Sequence, residues 1–170
     1  MATVGKTYIN QTTGEQICFV HTAASTNGAY VQFENFIQAG QDGPPTHMHF
    51  RQEEQFTVLS GELRLVVDGR AIKLCEGETA TVPSGTPHTF DNRNGNDVLF
   101  RVTLTPALDS EYMFTEMIRL ANERNTARPS LRQLAAIFQG LEGRFYLAGP
   151  PRILQDMLFS ILAGTVRKTA

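Results

Sequence analysis

From Thr7 to Thr105 the chain is a succession of short apolar runs that alternate with polar positions and are cut by turn residues, with no helical periodicity. That is the pattern of an all-β barrel or sandwich. Ile17-Cys18-Phe19-Val20 follows a turn at Thr13-Gly14, and Tyr30 to Ile37 follows Asn27-Gly28, a dipeptide suited to left-handed turn positions. Leu63-Arg64-Leu65-Val66-Val67 and Ala71-Ile72-Lys73-Leu74 flank Asp68-Gly69 and read as a tight hairpin. Val98 to Leu104 closes the series.

The period changes at Pro106. Over residues 108 to 125, Phe114, Met117, Ile118 and Ala121 recur at helical spacing, with Asp109 or Ser110 as the N-cap. Ser130 is placed to cap a second helix carrying Leu131, Leu134, Ala135 and Phe138 on one face and ending at Gly140. A third opens at Pro150-Pro151, carries Ile153, Leu154, Met157, Leu158, Ile161 and Leu162, and stops near Gly164. Few basic residues accompany that last stripe, so core packing is expected of it and not a membrane surface. The chain thus divides into a β domain at 1–105 and a helical extension of about three helices at 106–170. The extension is expected to dock on the barrel or on a second subunit, as a lid or as a dimer element.

Composition narrows the function classes. At 170 residues and 41% hydrophobic the chain can bury one real core. A net charge of −2 with interleaved signs gives no basic stripe for nucleic acid and no polybasic membrane patch. Cys18 and Cys75 sit in predicted strands without close spacing and read as buried small hydrophobes. The first residues, Met1 to Lys6, carry no apolar run of signal-peptide length, and no run is long enough to span a membrane. A cytoplasmic location is expected.

The candidate chemistry lies in two stretches. In Thr46-His47-Met48-His49 the two histidines are two apart, so on a strand they point the same way, with Met48 facing away. Their α-carbons then lie roughly 6.5–7 Å apart, a span two imidazoles close onto one ion at about 2.0–2.2 Å each. A carboxylate follows at Glu53 or Glu54, and parity alone does not choose between them. If Glu54 faces inward, so do Phe56 and Val58. The second stretch, Gly77 to Asn92, adds His88. Three imidazoles and a carboxylate buried without a partner are costly, and a cation removes that cost. His21, at a strand end without such company, reads as an ordinary structural histidine.

These residues resemble the cupin superfamily, whose first motif runs His-x-His, three or four residues, Glu, six residues, Gly. Glu54 with Gly61 fits that spacing, whereas Glu53 would leave seven residues. The second motif is matched without gaps by Gly77, Pro83, Gly85, His88 and Asn92, while the leading glycine of the first is displaced, with Gln41 standing between Gly40 and Gly43. The likeness covers about residues 28 to 105 and is to small single-domain cupins of the RmlC-like type with a quercetinase-like metal site. It implies a double-stranded β-helix, or jelly roll, with His47, His49, Glu54 and His88 as metal ligands.

Such a donor set leaves one or two positions open on a divalent transition metal. Iron and manganese are expected first, and nickel, zinc, cobalt or copper are also compatible. Alternation puts Leu63, Leu65, Val98, Phe100, Val102 and Leu104 in the core, whereas Phe56 and Phe90 flank ligands and are the candidate substrate-pocket residues. No nucleophilic dyad accompanies the cluster, which leaves the chemistry to the metal, with Glu54 as candidate catalytic base. The resemblance implies quercetinase-like dioxygenases as well as isomerases, decarboxylases and non-catalytic binders. The leading expectation is a dioxygenase-like oxidoreductase, a homodimer, acting on a small, partly apolar enolic or aromatic substrate that chelates the metal. The alternatives are a metal-containing binding protein without turnover and an isomerase or lyase.

Overall fold

A computed structural model describes residues 2–93, 95–142 and 145–164. Eleven strands come first: β1 (Thr7–Ile9), β2 (Gln16–His21), β3 (Val31–Ile37), β4 (Gln41–Asp42), β5 (His47–His49), β6 (Glu53–Ser60), β7 (Glu62–Val67), β8 (Arg70–Cys75), β9 (Thr79–Val82), β10 (His88–Asn92) and β11 (Val98–Thr105). Then come α1 (Ser110–Glu123), α2 (Leu131–Phe138), a short strand β12 (Phe145–Leu147) and α3 (Arg152–Gly164). One sheet runs β1-β2-β3-β11-β6-β9 and the other β12-β5-β10-β7-β8, with β4 on β10. This is the jelly roll that the alternation and the motifs imply.

The period-2 pattern converts directly into a closed core. β3 and β11 alternate buried and half-buried positions along their length and pair in full register from Val31↔Leu104 to Ile37↔Val98. Phe19, Phe33, Phe56, Phe100, Leu63, Leu65 and Leu104 are fully enclosed between the sheets. At the β7–β8 hairpin Val67 pairs with Arg70, and Asp68 and Gly69 both take positive φ, 48° and 75°. A two-residue turn of matching twist demands that conformation, and Asp-Gly supplies it. Gly43 has a different reason to be glycine: a Cβ there would lie 1.6 Å from the Phe90 carbonyl oxygen. The displaced glycine of the first motif is thus the residue that lets the chain pass β10 closely.

The extension lies against the barrel. Phe114 of α1 packs on Phe33 at 4.9 Å between ring centroids, and Asn122 Nδ2 donates to the Ile9 carbonyl at 2.8 Å. Buried Gln52 spans the junction, its Nε2 donating to the Pro106 carbonyl at 2.8 Å and to Ser110 Oγ at 2.7 Å. That bond settles the start of α1. Asp109 is the N-cap residue but makes no side-chain cap hydrogen bond, its Oδ2 accepting from the Glu142 amide, and Ser110 is engaged by Gln52. Asp109 thus holds the expected N-cap position without the side-chain bond of a cap, and both it and Ser110 are engaged in tertiary contacts.

Helix α2 begins as expected, with a capping box between Ser130 and Gln133. Its inward face is Ala135, Ile137 and Phe138, and Leu131 is exposed, because the cap turns the first residue outward. The larger correction is α3. Ile153, Leu154, Met157, Leu158 and Ile161, expected in a core, are 43–73% exposed, while Gln155, Phe159 and Ala163 are buried. Gln155 takes the inside because its side chain bonds both polar groups of Leu147 and the Pro150 carbonyl. Cys18 and Cys75 are half-buried rather than buried, because each sits on the outward phase of its strand. His21 has the structural role expected, edge-on to Tyr30 at 5.6 Å.

Candidate metal centre

Strand alternation delivers each member of the cluster. β5 is three residues long, with His47 and His49 buried and Met48 half-buried on the other face. On β6 Glu54 is inward with Phe56 and Val58, and Glu53 is exposed. On β10 His88 lies directly opposite His47. The two stretches are also stitched by hydrogen bonds: the Gly85 amide and Ser84 Oγ donate to the His49 carbonyl at 2.8 and 3.2 Å, and Thr89 Oγ1 donates to the Pro44 carbonyl at 2.6 Å.

The four side chains meet. One ligand atom from each of His47, His49, Glu54 and His88 lies within 4.8 Å of all the others. Exposure is 6%, 3%, 5% and 1% in that order, so bulk water does not screen the cluster. His88 Nε2 is 2.7 Å from Glu54 Oε2, and His49 Nε2 is 3.4 Å from the same oxygen. On the far sides of two rings, Nδ1 of His47 donates to the Pro45 carbonyl at 3.0 Å and Nδ1 of His88 donates to the Thr86 carbonyl at 2.9 Å. Pinning Nδ1–H in this way leaves Nε2 as the inward atom, the arrangement a ligating histidine requires.

Electrostatics agree with a cation-shaped site. Burial and the neighbouring His49 and His88 push His47 down to about 3, so it is a neutral ligand in waiting. For Glu54, burial opposes ionisation, but the hydrogen bonds and charge of His49 and His88 outweigh it and hold the carboxyl well below its usual range. Burial works against the charged form of His88 too, and the bond to Glu54 with its negative charge more than compensates, raising His88. Glu54 is thus favoured as a carboxylate with His88 as its hydrogen-bond partner, the polarity a divalent ion would meet. Three inward-facing imidazoles and a carboxylate held in its ionised form fit a transition-metal ion.

The surroundings are aromatic. Phe56 lies edge-on to His88 at 6.2 Å, and Phe90 packs one ring further out, against Phe56 and Phe100 at 5.9 and 5.1 Å. Sequence reasoning missed the opposite wall. β12 adds to the free edge of β5, with Phe145 paired to His49 and Leu147 to His47. Phe145 then covers the cluster, 4.9 Å from the His47 ring and 6.2 Å from the His49 ring, and itself meets Phe138 edge-to-face at 4.7 Å. A three-residue strand is too short to show a period, and the only signal was the lone aromatic pair Phe145-Tyr146 in a Gly- and Pro-rich stretch.

The family model described as "Cupin domain" matches residues 36–104. "Oxidoreductase iacF" of Pestalotiopsis fici is 31% identical over 80 residues, 45% of this chain and 39% of that protein. "Quercetin 2,3-dioxygenase" of Bacillus subtilis is 34% identical over 79 residues, 45% of this chain and 23% of that one. The chain thus spans less than half the length of these two relatives. An RmlC-like cupin from Shewanella frigidimarina superposes with a TM-score of 0.53 at 20% identity, over 63% of this chain and 88% of that one.

Proposed function

Residues 36–104 being a cupin domain, we propose that the protein is a metal-dependent oxidoreductase of the dioxygenase-like kind, acting on a small, partly apolar enolic or aromatic substrate. The observation that carries this reading is the gathering of three imidazoles and one buried carboxylate, a ligand atom from each within 4.8 Å of the others, inside an aromatic enclosure. The oxidoreductase names of two relatives agree with it.

His47, His49, Glu54 and His88 would hold the ion, and iron or manganese is the first expectation. A redox-active ion there supplies Lewis-acid polarisation of a chelating enol and one-electron chemistry with dioxygen. The protein's own part is threefold. Glu54, held in its ionised form and buried beside the three imidazoles, is placed to accept the proton of an incoming enol hydroxyl. The carbonyls of Pro45 and Thr86 fix the two rings, so no reorientation is needed at that moment. Phe56 and Phe145 offer ring faces and edges to a planar substrate and keep water out.

The test is oxygen uptake. Protein loaded with iron or manganese and offered flavonols and β-diketones should consume dioxygen in step with substrate loss. Metal-dependent turnover without uptake would overturn the reaction class and select an isomerase or lyase. The near-complete enclosure of the cluster favours a second reading, a binding protein without turnover; a ligand retained through purification and released unchanged would select it.

A further inference from the structure

Helix α3 is apolar on two sides. Gln155, Phe159 and Ala163 point inward, and Phe159 meets Phe138 at 5.8 Å in the small core shared with Phe145. On the other side Ile153, Leu154, Met157, Leu158 and Ile161 are exposed by 73, 55, 58, 43 and 65%. At 100° per residue those five fall within one stripe about 140° wide and about 12 Å long. They are five of the eleven large hydrophobic residues exposed among the described ones, gathered on a single helix of thirteen residues. A helix hydrophobic nearly all round is a buried helix. One side is covered by this chain, and the other requires a cover.

We propose that this face docks a second copy of the chain, α3 against α3 about a two-fold axis. The stripe holds no charge, so it is complementary to itself, as an isologous contact demands. The charges beside it are already matched: Arg152 Nε lies 3.7 Å from Asp156 Oδ2, and its guanidinium sits 5.1 Å over the rings of both Phe50 and Tyr146. Between Ile153 and Gly164 there is no lysine or arginine, which is not the polar face of a helix that lies on anionic lipid. Residues 165–170 offer two small aliphatic side chains, Val166 and Ala170, against five large ones.

The area suffices. The five exposures amount to about three whole side chains, or about 350 Å² at ~120 Å² each. Two faces meeting would remove about 700 Å² of apolar surface, and with homodimer interfaces ~65% apolar the whole contact is about 1,000 Å². That reaches the ~1,000 Å² a specific interface needs, at the small end, so the dimer is reversible and concentration-dependent.

Sedimentation velocity and light scattering on the full chain at about 100 μM test it, with the Met157→Glu/Ile161→Glu double variant and Ile72→Glu, an exposed change on β8, as control. The wild type and I72E should run as dimers, and the double variant as a monomer whose far-UV spectrum and metal content match the wild type. A monomeric wild type at that concentration overturns the proposal whatever the variants do, and so does a double variant that stays dimeric. Flotation with phosphatidylcholine–phosphatidylserine vesicles covers the other occupant: a monomeric wild type that floats assigns the face to lipid and overturns the dimer. Oxygen uptake enters none of these readouts, so the dimer stands or falls separately from the proposed reaction.

Discussion

The barrel and the segment after Pro106 hold their apolar residues in opposite ways. In the barrel each inward side chain faces another sheet, and large residues such as Phe19, Phe56 and Phe100 are wholly enclosed. In the segment, one thin core of Met113, Ala135, Ile137, Phe138, Phe145 and Phe159 lies between short helices, and more aliphatic surface of α3 faces outward than inward. The barrel supplies the ligands and their rigid frame, whereas the segment supplies the cover. A site assembled from both has a closed core on one side and a thin one on the other, and thinly packed elements open at lower free energy than a closed core.

The contrast can be broken most severely at the ligands. His88→Ala should weaken metal retention by about 100-fold or more, since losing only a group that supports a ligand costs about 10–100-fold; elemental analysis of protein purified without chelator measures it. Unchanged metal content would remove His88 from the ligand set. Phe145→Ala acts on the other side. Loss of a buried phenyl costs about 3–5 kcal/mol, and here it should fall on the segment alone. Hydrogen exchange should quicken in β12 and α3 and not in β3 or β11, and a chelator should strip metal faster while the amount bound stays the same. A uniform loss of protection across β3 and β11 would show one cooperative unit instead of two.

Two smaller changes sharpen the comparison. Ser130→Ala removes the hydroxyl that accepts from the Gln133 amide and leaves the reciprocal bond from its own backbone amide to Gln133 Oε1; it should lower stability by about 1 kcal/mol, again with exchange rising in α2 and not in the barrel. Glu15 tests the barrel side. Burial raises its carboxyl, against the lowering effect of the Asn35 amide and of Arg128 from the segment. The folded state therefore holds that proton more tightly than the unfolded chain, and its contribution to stability falls as pH rises from about 4.5 toward the raised value. Glu15→Gln keeps the acceptor for Asn35 and abolishes this fall. It should melt up to about 2 °C higher at pH 7 and like the wild type at pH 4, by calorimetry; the reverse order at pH 7 would mean that the charge of Arg128 outweighs burial.

The two regions also differ in how much of them was written in the chain. A strand in a closed barrel has one wet and one dry face, so parity tied Glu54, Phe56 and Val58 to one side, the spacing to Gly61 chose Glu54 over Glu53, and the His47–His49 and Gly77–Asn92 spacings named the cluster. A helical stripe carries less. It shows that a face is apolar without showing what covers it, and α3 has two such faces, of which Gln155 chose the inward one through bonds to Leu147 and Pro150 that no periodicity encodes. Phe145 was hidden for a related reason, since a three-residue strand is defined by the edge it joins and not by its own sequence.

That edge has a consequence for solubility. β12 covers the outer side of β5, bonding at Phe145↔His49 and Leu147↔His47 and, just beyond, through the Ala148 amide to the Thr46 carbonyl at 3.0 Å. Without it β5 would present unpaired backbone to any passing strand, the usual start of edge-to-edge aggregation. Uncovering the cluster and uncovering that edge are the same movement. The chain therefore gains from keeping each opening brief, and variants selected for a wider, faster entrance to the metal cluster should be the ones that precipitate.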